Sequence, residues 1–451
     1  MKFNLSFVKK ATGGEVFGEE ELSLTSVSID SRLAKENSLF IALKGEKTDG
    51  HNFVSEALKK ADAVMVSRKM EIDKSFILVD DTLKSFHLLA KEIRRKINPY
   101  VCVITGSVGK SSLKNLLGQT LSEILKDLEV SQGNLNSITG LPLTISNISD
   151  KCKYLILEAG INKIGEMEVL SFVSEPNFVL FTGVKPVHLE FLGTLQEVGR
   201  EKTRVLKYLK EDGLIIYPEG DPYLEEHIKK FPQKKITFGK GGDIEGKILK
   251  DEGFLGMEGL IRVKGKEHKF KIPSGILHLS TIEAASAFFY TLDLNLQELL
   301  VKLKDYIPLK GRLNLLKSKK GFYLVDDTYN ASPYALNQLL KKLQSTPTEG
   351  KKILVLGDML ELGKEEEKFH KEAGKEALKV VDILICLGKL AGEAGKIFEK
   401  GGKKTYFIKD HKEGAEVLLN ILKKGDWVAL KGSRGMQMEK IIKIMEEDGA
   451  L

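Results

Sequence analysis

No stretch of this 451-residue chain is apolar for long enough to span a bilayer, since no run approaches the ~18 residues that a membrane helix needs. The opening MKFNLSFVKKATGGE also lacks the apolar centre of a secretory leader, so a cytoplasmic protein with no membrane partner is expected. Cysteine is nearly as scarce. Cys102, Cys152 and Cys386 lie far apart, and at least two sit within apolar strand-like runs, which points away from a disulfide framework or a zinc motif. A one-sided charge is missing too. The net charge is +7, but lysines alternate with glutamates along segments such as KEEEKFHKEAGKEALK, and no arginine-rich or aromatic-basic stripe marks a nucleic-acid surface. A solvated helical surface explains that pattern, and the residual basicity suits a small polyanionic substrate.

What is present is globular material with room for full cores, 42% hydrophobic and 29% charged, enough for two to four domains. Three regions separate by pattern. Residues 1–98 carry short strand-like runs (SLFIAL, AVMVS, FILVD) and a helical stretch, TLKSFHLLAKEIRRKI, that stops at Asn98-Pro99 because the residue before a proline disfavours helix. Residues 99–307 alternate strand candidates (VCVIT, YLILE, FVLFTGV, GLIIYP) with helical patterns, the signature of crossover units on a mainly parallel sheet, and IRVKGKEHKFKI reads as a hairpin. After the connector YIPLKGR, residues 308–451 repeat the alternation with FYLVDD, KILVLGD, DILICLG, KTYFIKD and WVALKG. VCVIT runs through TGSVGKSS into a helical pattern, so the expected fold class is α/β with three domains: a central P-loop-type ATPase domain on a mainly parallel sheet, a small N-terminal α/β domain and a C-terminal Rossmann-like domain.

The polar clusters TGSVGKSS, EAGIN, GVKPVHLE, DDTYN, GDMLELG and KGSRG each fall at the C-terminal end of an expected strand, the edge where open α/β sheets bind ligands. Their distribution over two domains implies facing sites across a cleft. In TGSVGKSS, Gly106 and Gly109 let backbone N–H groups converge, the next helix offers its N-terminus, Lys110 adds a point charge and Ser111 can hold magnesium. Ile104 stands where a complete P-loop would have its first glycine. Phosphoryl transfer also needs carboxylate ligands for the metal, and Glu158 at the end of YLILE and His188 in GVKPVHLE stand on the same edge.

The elements TGSVGKSS, GNLNSITGLPLT, LEAGINKIGEM, HLEFLGTLQEVGREK, the Gly311-Arg312 pair, DDTYNASP, GDMLELG and KGSR, in this order over nearly the whole chain, resemble the Mur ligase family. DDTYNASP resembles the members that add D-alanyl-D-alanine to UDP-N-acetylmuramoyl-tripeptide in peptidoglycan precursor synthesis, whereas sister Mur ligases and folylpolyglutamate synthases carry histidine-bearing elements there. The resemblance implies an ATP-dependent amide-bond-forming ligase that works through an acyl phosphate, with those two small molecules as partners and a monomeric state. It implies that Thr105, Gly106, Ser107, Val108, Gly109, Lys110, Ser111 and Ser112 bind ATP together with Arg312, Asp327 and Asn330. By the same resemblance Ser111, Glu158 and His188 hold two Mg2+ ions with a carbamylated Lys202, and Lys110, Lys202, His188, Asn330 and Arg312 are catalytic. It further implies that Ser31, Arg32, Lys47, Thr48, Asp49, Asn134 and Asn136 bind the UDP-sugar, that Asp358, Lys431, Ser433 and Arg434 face the dipeptide, and that the third domain closes on the second. The sequence departs from the family pattern at Ser137-Ile138 and at Ile282, which leaves substrate contacts from the first loop open and implies either that base recognition differs or that Glu283 takes part in it.

Overall fold

Apolar runs flanked by turn residues build three α/β layers in succession, and the computed structural model describes residues 1–186 and 189–451. The first sheet has five strands in the order Glu15–Phe17, Ser75–Leu78, Ala63–Val66, Ser38–Ile41, Ser26–Ser28, all pairs parallel except the first. Its long helix, Thr82–Ile97, starts on the side chain of Asp81 and ends where Asn98 turns left-handed, and it buries Phe86, Leu89, Ala90 and Ile93.

The central sheet has nine strands, with Tyr100–Thr105 in its interior between Tyr154–Glu158 and Phe178–Phe181. Strand residues alternate between two cores, Cys102 and Ile104 in one and Val101 and Val103 in the other, because successive side chains point to opposite faces and helices cover both. The expected hairpin is present as Met257–Val263 paired with Lys266–Ile272. Three further strands, Leu128–Val130, Lys234–Phe238 and Ile244–Asp251, were not expected from the sequence. The first is three half-buried residues and the last is mostly exposed, so neither carries the continuous apolar run of an interior strand.

The third sheet orders its strands Asn314–Lys317, Tyr323–Asp327, Trp427–Lys431, Lys352–Gly357, Ile383–Leu387, Lys404–Ile408, with only the first antiparallel. The strands before DDTYN, KGSRG and GDMLELG are therefore adjacent, and their C-terminal ends form one continuous edge.

Different joints connect these layers. Between the first two, the buried Arg94 donates through Nε to the Ser174 carbonyl (2.8 Å) and through Nη2 to that of Glu175 (2.9 Å), while Arg95 forks onto the Glu175 carboxylate. Lys91 lies 3.4 Å from the Phe172 ring centroid. Between the last two, the amides of Asn115 and Gln119 clasp the backbone of Ile307 in the connector. The turn Gly253–Leu255, on the hairpin side of the central sheet, plugs Phe254 into the core of the C-terminal layer. There Phe254 stacks on Trp427 with ring centroids 5.9 Å apart, and its N–H donates to Thr346 Oγ1 at 3.0 Å.

Phe254→Ala leaves a hole in that core, and an expected cost of about 3–5 kcal/mol should appear in chemical denaturation. Trp427 is the single tryptophan, so its emission should shift to longer wavelength in the same variant as water reaches the ring.

Candidate active site

The loop between Tyr100–Thr105 and the helix Lys110–Leu121 is shaped by two glycines. Gly106 has φ +140°, and a Cβ there would lie 2.2 Å from Thr182 Oγ1; Gly109, at φ +89°, delivers the chain into the helix. Ser107 fastens the loop to the neighbouring segment: its Oγ accepts from Lys185 N–H (2.9 Å) and donates to the Lys185 carbonyl (3.0 Å). Lys110 Nζ donates to the Gly106 carbonyl at 2.8 Å, and burial lowers its pKa although Glu158 works the other way. Thr105 is buried beneath the loop, whereas Ser107 to Ser112 line a cleft of about 380 Å3.

Glu158 ends its strand beside Ile104, one residue short of the loop. Its Oε1 accepts from Ser111 Oγ (3.1 Å) and Asn136 Nδ2 (2.9 Å), and Lys114 Nζ lies 3.4 Å from its Oε2. Burial pushes this carboxyl up, but the Lys110 and Lys114 ammonium groups and the two hydrogen bonds outweigh it, so its pKa lies below the usual range. A charged carboxylate whose Oε2 is buried without a hydrogen bond, next to a serine hydroxyl, is a donor set of hard oxygens that fits magnesium. Among the described residues no group of three or more His, Cys, Asp or Glu could hold an ion.

His188 lies outside the described residues. Lys202 is 1% exposed on the helix Leu195–Thr203, and no hydrogen bond or ion pair reaches its ammonium among the described residues. Burial, followed by the Lys110 charge, drives its pKa well below the lysine range. Its neighbour Glu201 accepts from the N–H groups of Gly165 (2.7 Å) and Met167 (3.4 Å), and so fixes this helix against the start of Glu166–Ser174.

Across the cleft, Arg312 stacks 4.2 Å from the Tyr329 ring centroid and reaches Ser111 Oγ with Nη2 at 3.4 Å. Lys431 is buried and ion-paired with Asp327, and it donates to the Asn330 carbonyl at 3.1 Å. Burial raises the Asp327 pKa, with Lys431 and Arg312 opposing. Ser433 and Arg434 lie on the wall, and Ser433 Oγ accepts from Leu360 N–H at 2.8 Å. Asp358 does not line the cleft: its Oδ1 accepts from Ala391 N–H (2.6 Å) at the start of the helix Lys389–Lys400.

The residues expected to bind the UDP-sugar divide. A groove of about 640 Å3 runs between the first sheet and the edge strand Leu128–Val130, lined by Ser28, Asp30, Leu33, Gln132 and Leu135 among others. Ser31 and Arg32 sit in the turn at its rim, Ser31 bonded to Glu56 and Arg32 forked onto Asp30. Lys47 and Thr48 are exposed, and Asp49 is occupied with His51 through the backbone N–H (2.9 Å) and the ring (2.6 Å). Asn134 is exposed, whereas Asn136 faces the cleft of about 380 Å3 and holds Glu158. Ile282 is fully buried, and Glu283 turns away from the cleft to accept from Gly246 N–H at 2.8 Å, so the suggested part of Glu283 in base recognition is not where its side chain lies. His278, Ser280 and Thr281 line the wall instead.

Sequence reasoning passed over Lys114, Lys185 and Tyr334. Lys114 was within reach, because it stands four residues after Lys110 and so on the same helix face. Lys185 Nζ lies 5.2 Å from the Tyr334 ring centroid, a contact across the cleft that no local pattern signals.

Three family models match in order: "Mur ligase family, catalytic domain" over 23–101, "Mur ligase middle domain" over 104–276 and "Mur ligase, glutamate ligase domain" over 311–434. The UDP-N-acetylmuramoyl-tripeptide–D-alanyl-D-alanine ligase of Bacillus subtilis (strain 168) is 33% identical over 446 residues, 95% of this chain and 94% of that one. The chain belongs to the Mur ligase family. Among solved structures, MurF from Acinetobacter baumannii superposes on this Mur ligase with a TM-score of 0.90 at 25% identity, covering 99% of both chains. The MurF ligase of Thermotoga maritima in complex with ADP gives 0.82 at 29% identity, covering 94% of this chain and 97% of that one. This Mur ligase is an ATP-dependent enzyme that forms amide bonds.

Glu283 supplies a pH test. Burial lifts its carboxyl from 4.5 to about 7, so the folded protein holds this proton more tightly than the unfolded chain does. The stability it lends is complete below about 4.5 and is lost as pH rises through about 7. Glu283→Gln should remove that slope, gaining roughly 3 kcal/mol over the parent at pH 8 in urea titrations while matching it at low pH.

Proposed function

We propose that this Mur ligase joins D-alanyl-D-alanine to UDP-N-acetylmuramoyl-tripeptide at the expense of ATP, a cytoplasmic step in making the peptidoglycan precursor. The observation that carries the reading is the convergence of Lys110, Ser111 and Glu158 from one sheet edge with Arg312 and Asn330 from another on a single cleft. We assign residues 1–98 to UDP-sugar binding, 99–307 to ATP binding and 308–451 to the dipeptide. The groove beside Leu128–Val130, whose far end meets the cleft through the 131–137 segment, is the place for the UDP-sugar.

The terminal carboxylate of the tripeptide attacks the γ-phosphorus, and the bond to the leaving ADP breaks. The dipeptide amine then attacks the acyl phosphate, and a tetrahedral intermediate collapses to amide and phosphate with loss of a proton from nitrogen. The first step brings two anions together, so its barrier falls chiefly through fixed positive charge and alignment. Lys110 lies beside the β- and γ-phosphates, and Arg312, held flat by Tyr329, meets the transferring group from the other wall. Magnesium held by Ser111 and Glu158 neutralises phosphate charge when bound. Lys431 keeps Asp327 and Asn330 in place, while Ser433 and Arg434 face the dipeptide. Closure of the 308–451 region on the ATP-binding region excludes water from the acyl phosphate.

Lys202 fits carbamylation, since burial favours its neutral amine, and a neutral amine adds carbon dioxide to give a carbamate and a proton, the product offering oxygen to a metal. Carbon-13 NMR in labelled bicarbonate should show a carbamate resonance that Lys202→Ala lacks, and that variant should lose on the order of a hundredfold in activity. An unchanged spectrum and rate would remove the assignment.

The activity itself is tested by phosphate release from ATP with the two substrates supplied singly and together, and by product mass over lysine- and diaminopimelate-type tripeptides. Release that needs both and a product heavier by the dipeptide is expected; release with neither would mean a simple ATPase.

A further inference from the structure

Lys114 is 4% exposed, a turn beyond Lys110 on the same helix, and its ammonium donates to the Gly133 carbonyl at 2.9 Å and is ion-paired with Glu158 Oε2 at 3.4 Å. Gly133 belongs to a segment that walls both cavities. Gln132 and Leu135 line the groove beside Leu128–Val130, while Asn136 and Ser137 line the nucleotide cleft. The same segment is clipped to the end of the Glu158 strand. Ser131 N–H donates to the Ile156 carbonyl (2.9 Å), Glu158 N–H to Ser131 Oγ (3.1 Å) and Gly160 N–H to the Asn136 carbonyl (2.9 Å). A buried ammonium has little water to replace a lost acceptor, so displacing the Gly133 carbonyl pulls on the Lys114–Glu158 pair as well. A methionine of similar length would fill the space without the desolvation cost, so packing alone does not account for a lysine here.

We propose that Lys114 is a positioning residue that couples the two cavities: filling the groove resets the 131–137 segment and, through Lys114, the Glu158 carboxylate that receives the magnesium nucleotide. This rests on the function proposed above only for the identity of the two ligands. Glu158 Oε1 is already shared by Ser111 and Asn136, so the pull of Lys114 on Oε2 sets the rotation of the whole carboxylate. A groove ligand that sets the carboxylate for the nucleotide favours nucleotide binding, and linkage then requires the nucleotide to favour the groove ligand by the same factor.

Calorimetry of a non-hydrolysable ATP analogue with Mg2+, in the presence and absence of UDP-N-acetylmuramoyl-tripeptide, measures the coupling in the full-length enzyme. The parent should bind the analogue about fivefold or more tighter when the muropeptide is present. Lys114→Met should reduce that factor to near one, and Lys114→Arg should keep most of it. An unchanged factor in the methionine variant, or no factor in the parent, overturns the proposal. Amide hydrogen exchange over 131–137 in the parent gives an independent reading that does not depend on a variant folding: the analogue alone should slow it, and unaltered exchange overturns the proposal. Failure of the function reads differently, since a parent that makes no product yet shows the coupling would overturn the ligase reading and leave Lys114 in its role.

Discussion

The charge balance around one buried carboxylate organises the site. Glu158 lies at the end of an interior strand, shielded from water, with Lys110, Lys114, Ser111 and Asn136 arranged about its two oxygens. A carboxylate in that position is tolerated only because cations and hydrogen-bond donors meet it. Three of those partners have a second attachment: Lys110 to its own loop, Lys114 to the 131–137 segment, and Ser111 to Arg312 of the C-terminal layer. The carboxylate is thus the point at which the phosphate loop, the substrate groove and the opposite wall are mechanically joined.

The joints between layers are built to different specifications. Arg94 is buried with its N–H groups on backbone carbonyls, and Arg95, Lys91 and Lys210 surround Glu175, so the first layer is fastened to the second by directional bonds in a partly dry interface. The second and third layers meet instead through an apolar plug at Phe254 and a clasped connector at Ile307. Apolar packing is non-directional, and it lets a ring turn within its socket where a forked arginine would resist. In this structure the walls already touch through Arg312 and Ser111 and through Lys185 and Tyr334.

Most of the fold was legible in the sequence because interior strands such as Tyr154–Glu158 and Lys352–Gly357 are continuous apolar runs that end in polar clusters. What escaped was short or exposed, as at Leu128–Val130 and Ile244–Asp251, where pairing with a neighbour rather than composition makes the strand. The gathering of Lys110, Ser111 and Glu158 at one wall of the cleft was legible for the same reason, since they sit at fixed offsets from strand ends. Side-chain direction was not. Asn136 was assigned to the sugar and faces Glu158, and Asp358 was assigned to the dipeptide and caps a helix, because a loop's sequence does not say which way its side chains point.

The helix Leu279–Thr291 shows what such directions decide. Ile282 is buried in the core beneath it, and Glu283 on the next position faces the strand Ile244–Asp251, where the Gly246 N–H takes one oxygen and burial keeps the carboxyl protonated up to about 7. Ile282 has no polar group to offer, Glu283 cannot present its carboxyl to the cleft without rotating the helix, and the packing of Ala284, Ala285 and Phe289 into the same core forbids that rotation. The polar groups that this helix offers to a nucleotide are therefore confined to its first turn, at His278, Ser280 and Thr281. A base held there is met by a histidine kept neutral by burial and by two hydroxyls that can each donate or accept, in place of an amide with fixed donor and acceptor ends. Recognition by hydroxyls that rotate to suit their partner is permissive toward the base, and what Gly106, Lys110 and Glu158 can discriminate at the other end is the length and charge of a phosphate chain.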